Sequence, residues 1–155
     1  MDTASATSTT SAGAGWPRWL LLAGRLFLGG VFVYAAYTKL SQPWMLFAMS
    51  INSYQMVSES ATKLLAQTLP WFELVLGLVL LAGWALRWSA STASALLLFF
   101  FSVMLRAYMK NLEIFCGCFG VGDKLGPLTL TRDGSLAALA IAVAVGAFLM
   151  HRRRT

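Results

Sequence analysis

The chain has 155 residues, of which 58% are hydrophobic and 12% charged, and its mean hydropathy is +0.69. A soluble domain is about a quarter charged, so this composition excludes a water-soluble monomer and a disordered chain, while the length allows one compact domain. The charge is lopsided, 12 Lys and Arg against 6 Asp and Glu, and a membrane's positive-inside asymmetry explains the resulting +6 without nucleic acid.

Residues 1–15 are small, polar and almost uncharged, which predicts a disordered head. They lack the basic start of a cleaved signal, so the first apolar run is expected to be retained as a signal anchor. Four apolar segments follow, at about residues 19–39, 69–86, 89–109 and 134–150. Each approaches the roughly 20 helical residues that cross ~30 Å of hydrocarbon. Trp16, Trp19, Trp44, Trp71, Trp84 and Trp88 fall near the segment ends, where indole rings anchor to the interface. Between the first two segments, Trp44, Phe47, Ala48, Ile51 and Tyr54 recur at close to helical spacing, separated by polar residues such as Ser50, Asn52 and Ser53. That pattern predicts an amphipathic helix, lying on the outer leaflet or tucked over the bundle. Arg87 and Trp88 leave only a tight turn between the second and third segments, which predicts antiparallel neighbours. The expected fold class is an all-α integral membrane protein, a four-transmembrane-helix bundle with an additional amphipathic helix in the first outer loop. The membrane domain is expected over residues 16–150, followed by a basic tail at 151–155.

An even number of spans puts both termini on one side. The basic cluster at 151–154, with Arg18 and Arg87 on the same face, places that side in the cytoplasm, against the opposing Lys39, Lys63, Lys110, Lys124 and Arg132. The loops at 41–68 and 111–133 then lie outside.

The second of these loops carries the chain's two cysteines, in Phe115-Cys116-Gly117-Cys118-Phe119-Gly120. Residues two apart reach disulfide distance only in a turned backbone, and Gly117 supplies the freedom for one. A ring that small is strained, and strained disulfides are the exchangeable kind. Arg106, Lys110 and Lys124 nearby favour the thiolate. A redox role is therefore the preferred reading. A static disulfide is weaker, because closing so short a loop removes little chain entropy. A third reading is a soft metal ion such as Cu(I), with Met104 and Met109 close in sequence, although methionines are more often packing. Zinc is disfavoured, since the only histidine, His151, lies at the opposite face.

Arg25, Glu73 and Arg106 fall inside the proposed spans, where charged residues normally face the bundle and find partners. Counting residues from the outer ends puts Glu73 and Arg106 on one level beneath the cysteine loop, joined by Lys39. A Glu73–Arg106 ion pair is expected, within a polar cluster that tunes the thiols, relays a proton or meets a quinone head group. Pro70, just before this level, is expected to start or kink the second span. Arg25 lies about 20 Å from Lys39 along the helix and has no carboxylate on its level, leaving snorkelling or a backbone carbonyl as its partner.

The ordered set of Arg25, Gly29 and Lys39-Leu40, then Leu69-Pro70-Trp71-Phe72-Glu73 with Gly77, then Cys116-Gly117-Cys118-Phe119-Gly120, resembles the MauE family. Leu130-Thr131-Arg132-Asp133 also fits that pattern. This is the methylamine-utilisation membrane family, within the DoxX-like group of four-helix membrane proteins, and the resemblance covers residues 18–150. It implies a bacterial inner-membrane protein whose partner is a periplasmic thioredoxin-like protein. It also implies that Cys116 and Cys118 form the redox pair, with Glu73, Arg106 and Lys39 as the polar cluster below. The expected function is a membrane thiol–disulfide oxidoreductase or a subunit of one. No cysteine lies deep in a span, so a membrane quinone is the simplest electron carrier. The alternatives are a non-enzymatic scaffold for a periplasmic redox partner and a soft-metal carrier.

Overall fold

Inside hydrocarbon the backbone has no water to bond, so spanning segments satisfy their own amide groups as helices. The computed structural model describes residues 18–152, and the polar head, Trp16, Pro17 and the last three residues of the basic tail lie outside the described residues. In chain order the elements are α1 (Arg18–Leu40), α2 (Trp44–Ser53), α3 (Glu59–Ala82), α4 (Leu86–Met109), β1 (Phe115–Gly117), β2 (Gly120–Lys124) and α5 (Pro127–Arg152). The long helices α1, α3, α4 and α5 are each long and apolar enough to cross a membrane. Both described ends of the chain lie at one end of this bundle. The short helix α2 and the β1–β2 hairpin cap the other.

The starts of α3 and α5 differ most from the sequence expectation. Helix α3 begins at Glu59, ten residues before the apolar run at Leu69, and passes through Pro70, which neither starts nor ends it. Ser60, Thr62, Lys63, Gln67 and Thr68 dilute the hydropathy of its first turns, but they do not oppose helix. This part of α3 lies against α2, where Ala66 packs with Phe47 and Ala48, flanked by Ile51 and Leu69. The amphipathic helix is thus tucked over the bundle. Helix α5 starts at Pro127, a residue whose fixed φ and missing N–H suit a first helical position. The loop that was expected throughout 111–133 contains the hairpin. Phe115 pairs with Lys124 and Gly117 with Gly120, leaving Cys118 and Phe119 as its two-residue turn.

Gly83, at φ +73°, ends α3, and its N–H bonds to the carbonyls of Val79 and Leu80. Helix α4 restarts at Leu86, so Arg87 and Trp88 lie in its first turn rather than in the connection. Arg25 reaches this corner from α1. Its Nη2 donates to the Leu81 carbonyl at 3.4 Å, and its guanidinium occupies the space that a Cβ on Gly83 would need. The backbone-carbonyl partner is the alternative realised for Arg25.

Helix α1 packs chiefly on α3, and α4 on α5, with α1 and α5 joining the two pairs. The α1–α3 contact is close because Gly29 and Gly77 face each other. A Cβ on either would come within 3.0–3.1 Å of the other's carbonyl oxygen. Leu28, Phe32, Leu80, Ala93, Ala140 and Val143 fill the centre. Although a tight turn joins α3 to α4, these two helices pack on one another less than on their other neighbours.

Candidate functional site

Side chains on a helix lean toward its N-terminus. At the capped end α1 is finishing and α3 is descending into the bundle, so Lys39 leans inward and Glu73 leans back toward it. Lys39 Nζ lies 2.8 Å from Glu73 Oε1 and 2.6 Å from Oε2, and both residues are 5% exposed or less. Nζ also lies 5.3 Å from the centre of the Phe47 ring, so α2 roofs the pair with an aromatic face.

The expected Glu73–Arg106 pair does not form. Glu73 is taken by Lys39, and Arg106 is exposed, lining a separate pocket with Tyr54, Gln55 and Lys110. Two causes combine. The earlier start of α3 places Glu73 farther from its helix end than residue counting implied. Arg106 also follows Met104 by two residues, about 200° around the helix, and Met104 is the residue that faces inward.

The hairpin holds both cysteines, unbridged, at the inner surface of the cap. Cys116 is 5% exposed, whereas Cys118 in the turn is half-buried. Gly117 takes φ +72° between them, and a Cβ there would press on Ser50 of α2 at 3.2 Å. Tyr54, just beyond α2, donates its hydroxyl to the Cys116 carbonyl oxygen at 3.0 Å and fixes the strand to the cap. Beneath the pair sits Met104, whose Sδ lies 3.1 Å from Cys116 Sγ and 3.7 Å from Cys118 Sγ. Asp133, in the second turn of α5, brings Oδ2 to 3.7 Å from Cys116 Sγ. Its other oxygen accepts from Arg132 Nε at 3.1 Å, and the Arg132 guanidinium lies over the Phe119 ring at 4.5 Å. Sγ of both cysteines and a carboxylate oxygen of Asp133 all fall within 4.8 Å of one another.

These contacts split the two thiols. The hydrogen bond that Cys118 directs to Cys116 pulls the Cys116 thiol below the ordinary cysteine value, with Arg132 helping and burial and Asp133 opposing. Donating that bond pushes Cys118 well up, and burial and the negative charges of Cys116 and Asp133 add to the rise. The first proton therefore leaves Cys116 and the second is held. Burial, and then the charges of the thiolates and Asp133, also push the Tyr54 hydroxyl up, so it stays a neutral donor.

Both clusters line one cavity of about 310 Å³ between α3 and α4. Phe32, Leu69, Leu97 and Phe100 make its walls apolar, while Lys39, Glu73, Tyr54, Asp133 and the cysteines supply polar atoms at one end. Leu65 and Phe99 line it and are also exposed on the flank of the bundle, which marks its mouth.

Asp133 and Tyr54 are site residues without a site role in the sequence expectation, where Met104 entered only as part of the soft-metal alternative. Asp133 had a signal, the Arg132-Asp133 step at the start of an apolar run. Met104 was one of two nearby methionines with nothing to separate it from Met109, which is 74% exposed and away from the pair.

A family profile described as methylamine utilisation protein MauE matches residues 17–147, spanning all four crossing helices, the cap and the hairpin. The chain belongs to the MauE family. MauE is a membrane family, in keeping with the four crossing helices, and the chain is an integral membrane protein. No curated protein and no solved structure matches it. The residues that carried the MauE resemblance now have physical roles. Gly29 and Gly77 set the α1–α3 approach, Lys39 and Glu73 pair across it, and Arg132-Asp133 meets the cysteines.

Proposed function

We propose that the protein is a membrane thiol–disulfide redox protein that exchanges disulfides through Cys116 and Cys118 with a thioredoxin-like partner outside the bacterial inner membrane. The observation that carries this reading is the inequality of the two thiols. Cys118 is half-buried in the hairpin turn, while Cys116 is enclosed and, in the reduced pair, has the more acidic thiol.

In the oxidised protein a partner thiolate attacks Cys118 Sγ, the Cys116–Cys118 bond breaks, and Cys116 departs as the thiolate. Arg132 stabilises the departing thiolate, and a stabilised thiolate leaves faster. The partner's second thiolate then attacks its own sulfur in the mixed disulfide and releases Cys118. The partner leaves as a disulfide and this pair is left reduced. Asp133 is placed to accept and return the Cys116 proton, and Arg132 holds its carboxylate in position.

Re-oxidising the pair needs an acceptor for two electrons and two protons. A lipid-soluble quinone suits the cavity, with its ring at the polar end and its chain along the apolar wall toward the mouth at Leu65 and Phe99. The pair returns to the disulfide and the quinone becomes hydroquinone.

The test mixes purified protein in lipid nanodiscs with a reduced thioredoxin-like dithiol protein and a short-chain ubiquinone analogue. Quinone reduction that requires both cysteines is the expected result. Partner oxidation without quinone reduction would remove the quinone step, and neither reaction would overturn the whole reading.

A further inference from the structure

Two thiolates at a protein surface bind many ions weakly, but here a third sulfur is built in. Met104 is 2% exposed, fixed in the penultimate turn of α4, and its Sδ lies 3.1 Å from Cys116 Sγ and 3.7 Å from Cys118 Sγ. The two cysteine sulfurs are themselves within 4.8 Å. Metal–thiolate bonds of about 2.3 Å allow two sulfurs on one ion to lie at most about 4.6 Å apart. Both Met104 distances meet that limit as they stand, and the cysteine pair needs at most a small closure. We propose that Cys116, Cys118 and Met104 form a three-sulfur site for a single Cu(I) ion.

The chemistry selects the ion. Thiolate and thioether are soft ligands that favour Cu(I), and a thioether adds little for zinc. The nearby hard ligand, Asp133, is already engaged through Oδ1 by Arg132. Two thiolates and Cu(I) carry one net negative charge, close to the Arg132 guanidinium across Phe119. Cys118 in the hairpin turn is half-buried and gives the ion a way in, while burial of Cys116 and Met104 keeps water from the inner side. The hairpin also explains why the site can form before metal arrives. The Tyr54 bond to the Cys116 carbonyl and the Gly117 contact with Ser50 hold the loop against α2. The site requires the reduced pair and does not depend on the redox function proposed above, although both use the same two thiols.

The experiment titrates the full-length, anaerobically reduced protein in nanodiscs with Cu(I) against a chromophoric chelator, and records X-ray absorption of the loaded sample. One equivalent bound through three sulfurs is expected. Met104→Leu, which roughly conserves volume, should weaken binding at least the roughly tenfold that loss of even an outer partner costs, while Met109→Leu binds as wild type. A two-sulfur coordination sphere in the wild type, equal affinity in Met104→Leu, or no retained Cu(I) would each overturn the site. Because the spectrum is taken on the unaltered protein, a folding defect in a variant cannot decide the matter. Disulfide exchange with a partner in a protein that retains no Cu(I) removes this inference and leaves the redox reading standing. Three-sulfur Cu(I) binding without any exchange does the reverse.

Discussion

At the scale of single residues, the site depends on an unequal pair of thiols. The hydrogen bond from Cys118 stabilises the Cys116 thiolate, so Cys116 ionises at lower pH and Cys118 at higher pH than a free cysteine. In the metal-free reduced protein, the pH midpoint for alkylation by iodoacetamide, followed by peptide mass, should fall below about 8.5 for Cys116 and above it for Cys118. The sign follows from the thiolate being the reactive form. A lowered pKa exposes it earlier as pH rises, and coincident midpoints would contradict the inequality. Asp133 is the nearest carboxylate to Cys116 Sγ among the described residues. Asp133→Asn keeps its size and removes its basicity, so dithiol oxidation should slow by about 10²-fold or more. An unchanged rate would assign Asp133 to packing alone. The cysteines could be picked out from the sequence because they are the only two and glycine separates them. Met104 could not, because nothing in a helical run distinguishes a methionine beneath a thiol from one facing lipid.

At the scale of elements, the Lys39–Glu73 pair joins α1 to α3 beneath the cap. Breaking a buried ion pair leaves one uncompensated charge and costs about 3–5 kcal/mol, whereas replacing both partners with apolar residues is often neutral. Lys39→Met and Glu73→Leu should each lower the thermal midpoint of the detergent-purified protein, and the double variant should recover most of the loss. Equal loss in the double variant would show that the pair contributes more than mutual neutralisation. The sequence placed both residues at the capped end but matched Glu73 with Arg106. Hydropathy locates the apolar centre of a helix and not its start, and the polar turns of α3 before Leu69 shifted the level. Rotation around α4 then decided against Arg106. The hairpin was illegible for a related reason, since strands of three and five residues carry too little periodicity to stand out from a loop.

At the scale of the molecule, a low charge content and four apolar runs were enough to read the bundle, because hydrocarbon leaves the backbone few choices. Which helices pair was less legible, since apolar surfaces match one another without specificity. The close α1–α3 approach rests on two glycines, and a cavity separates parts of the sequence neighbours α3 and α4. The cap holds the thiols, so the proposed exchange with an external partner requires that end to face the periplasm. A single cysteine introduced by Lys124→Cys, in a background with Cys116→Ser and Cys118→Ser, should react with a membrane-impermeant maleimide in intact spheroplasts. Reaction only after lysis would reverse the orientation and remove the external partner.

In the proposed exchange a partner forms its disulfide with Cys118 while Cys116 is the sulfur that leaves. Trapping with a thioredoxin-like partner that lacks its own resolving cysteine tests this most directly, using Cys116→Ser and Cys118→Ser side by side. A stable mixed disulfide through Cys118 in Cys116→Ser, with little or none in Cys118→Ser, is the expected result. Trapping only through Cys116, or no mixed disulfide with either variant, would contradict it.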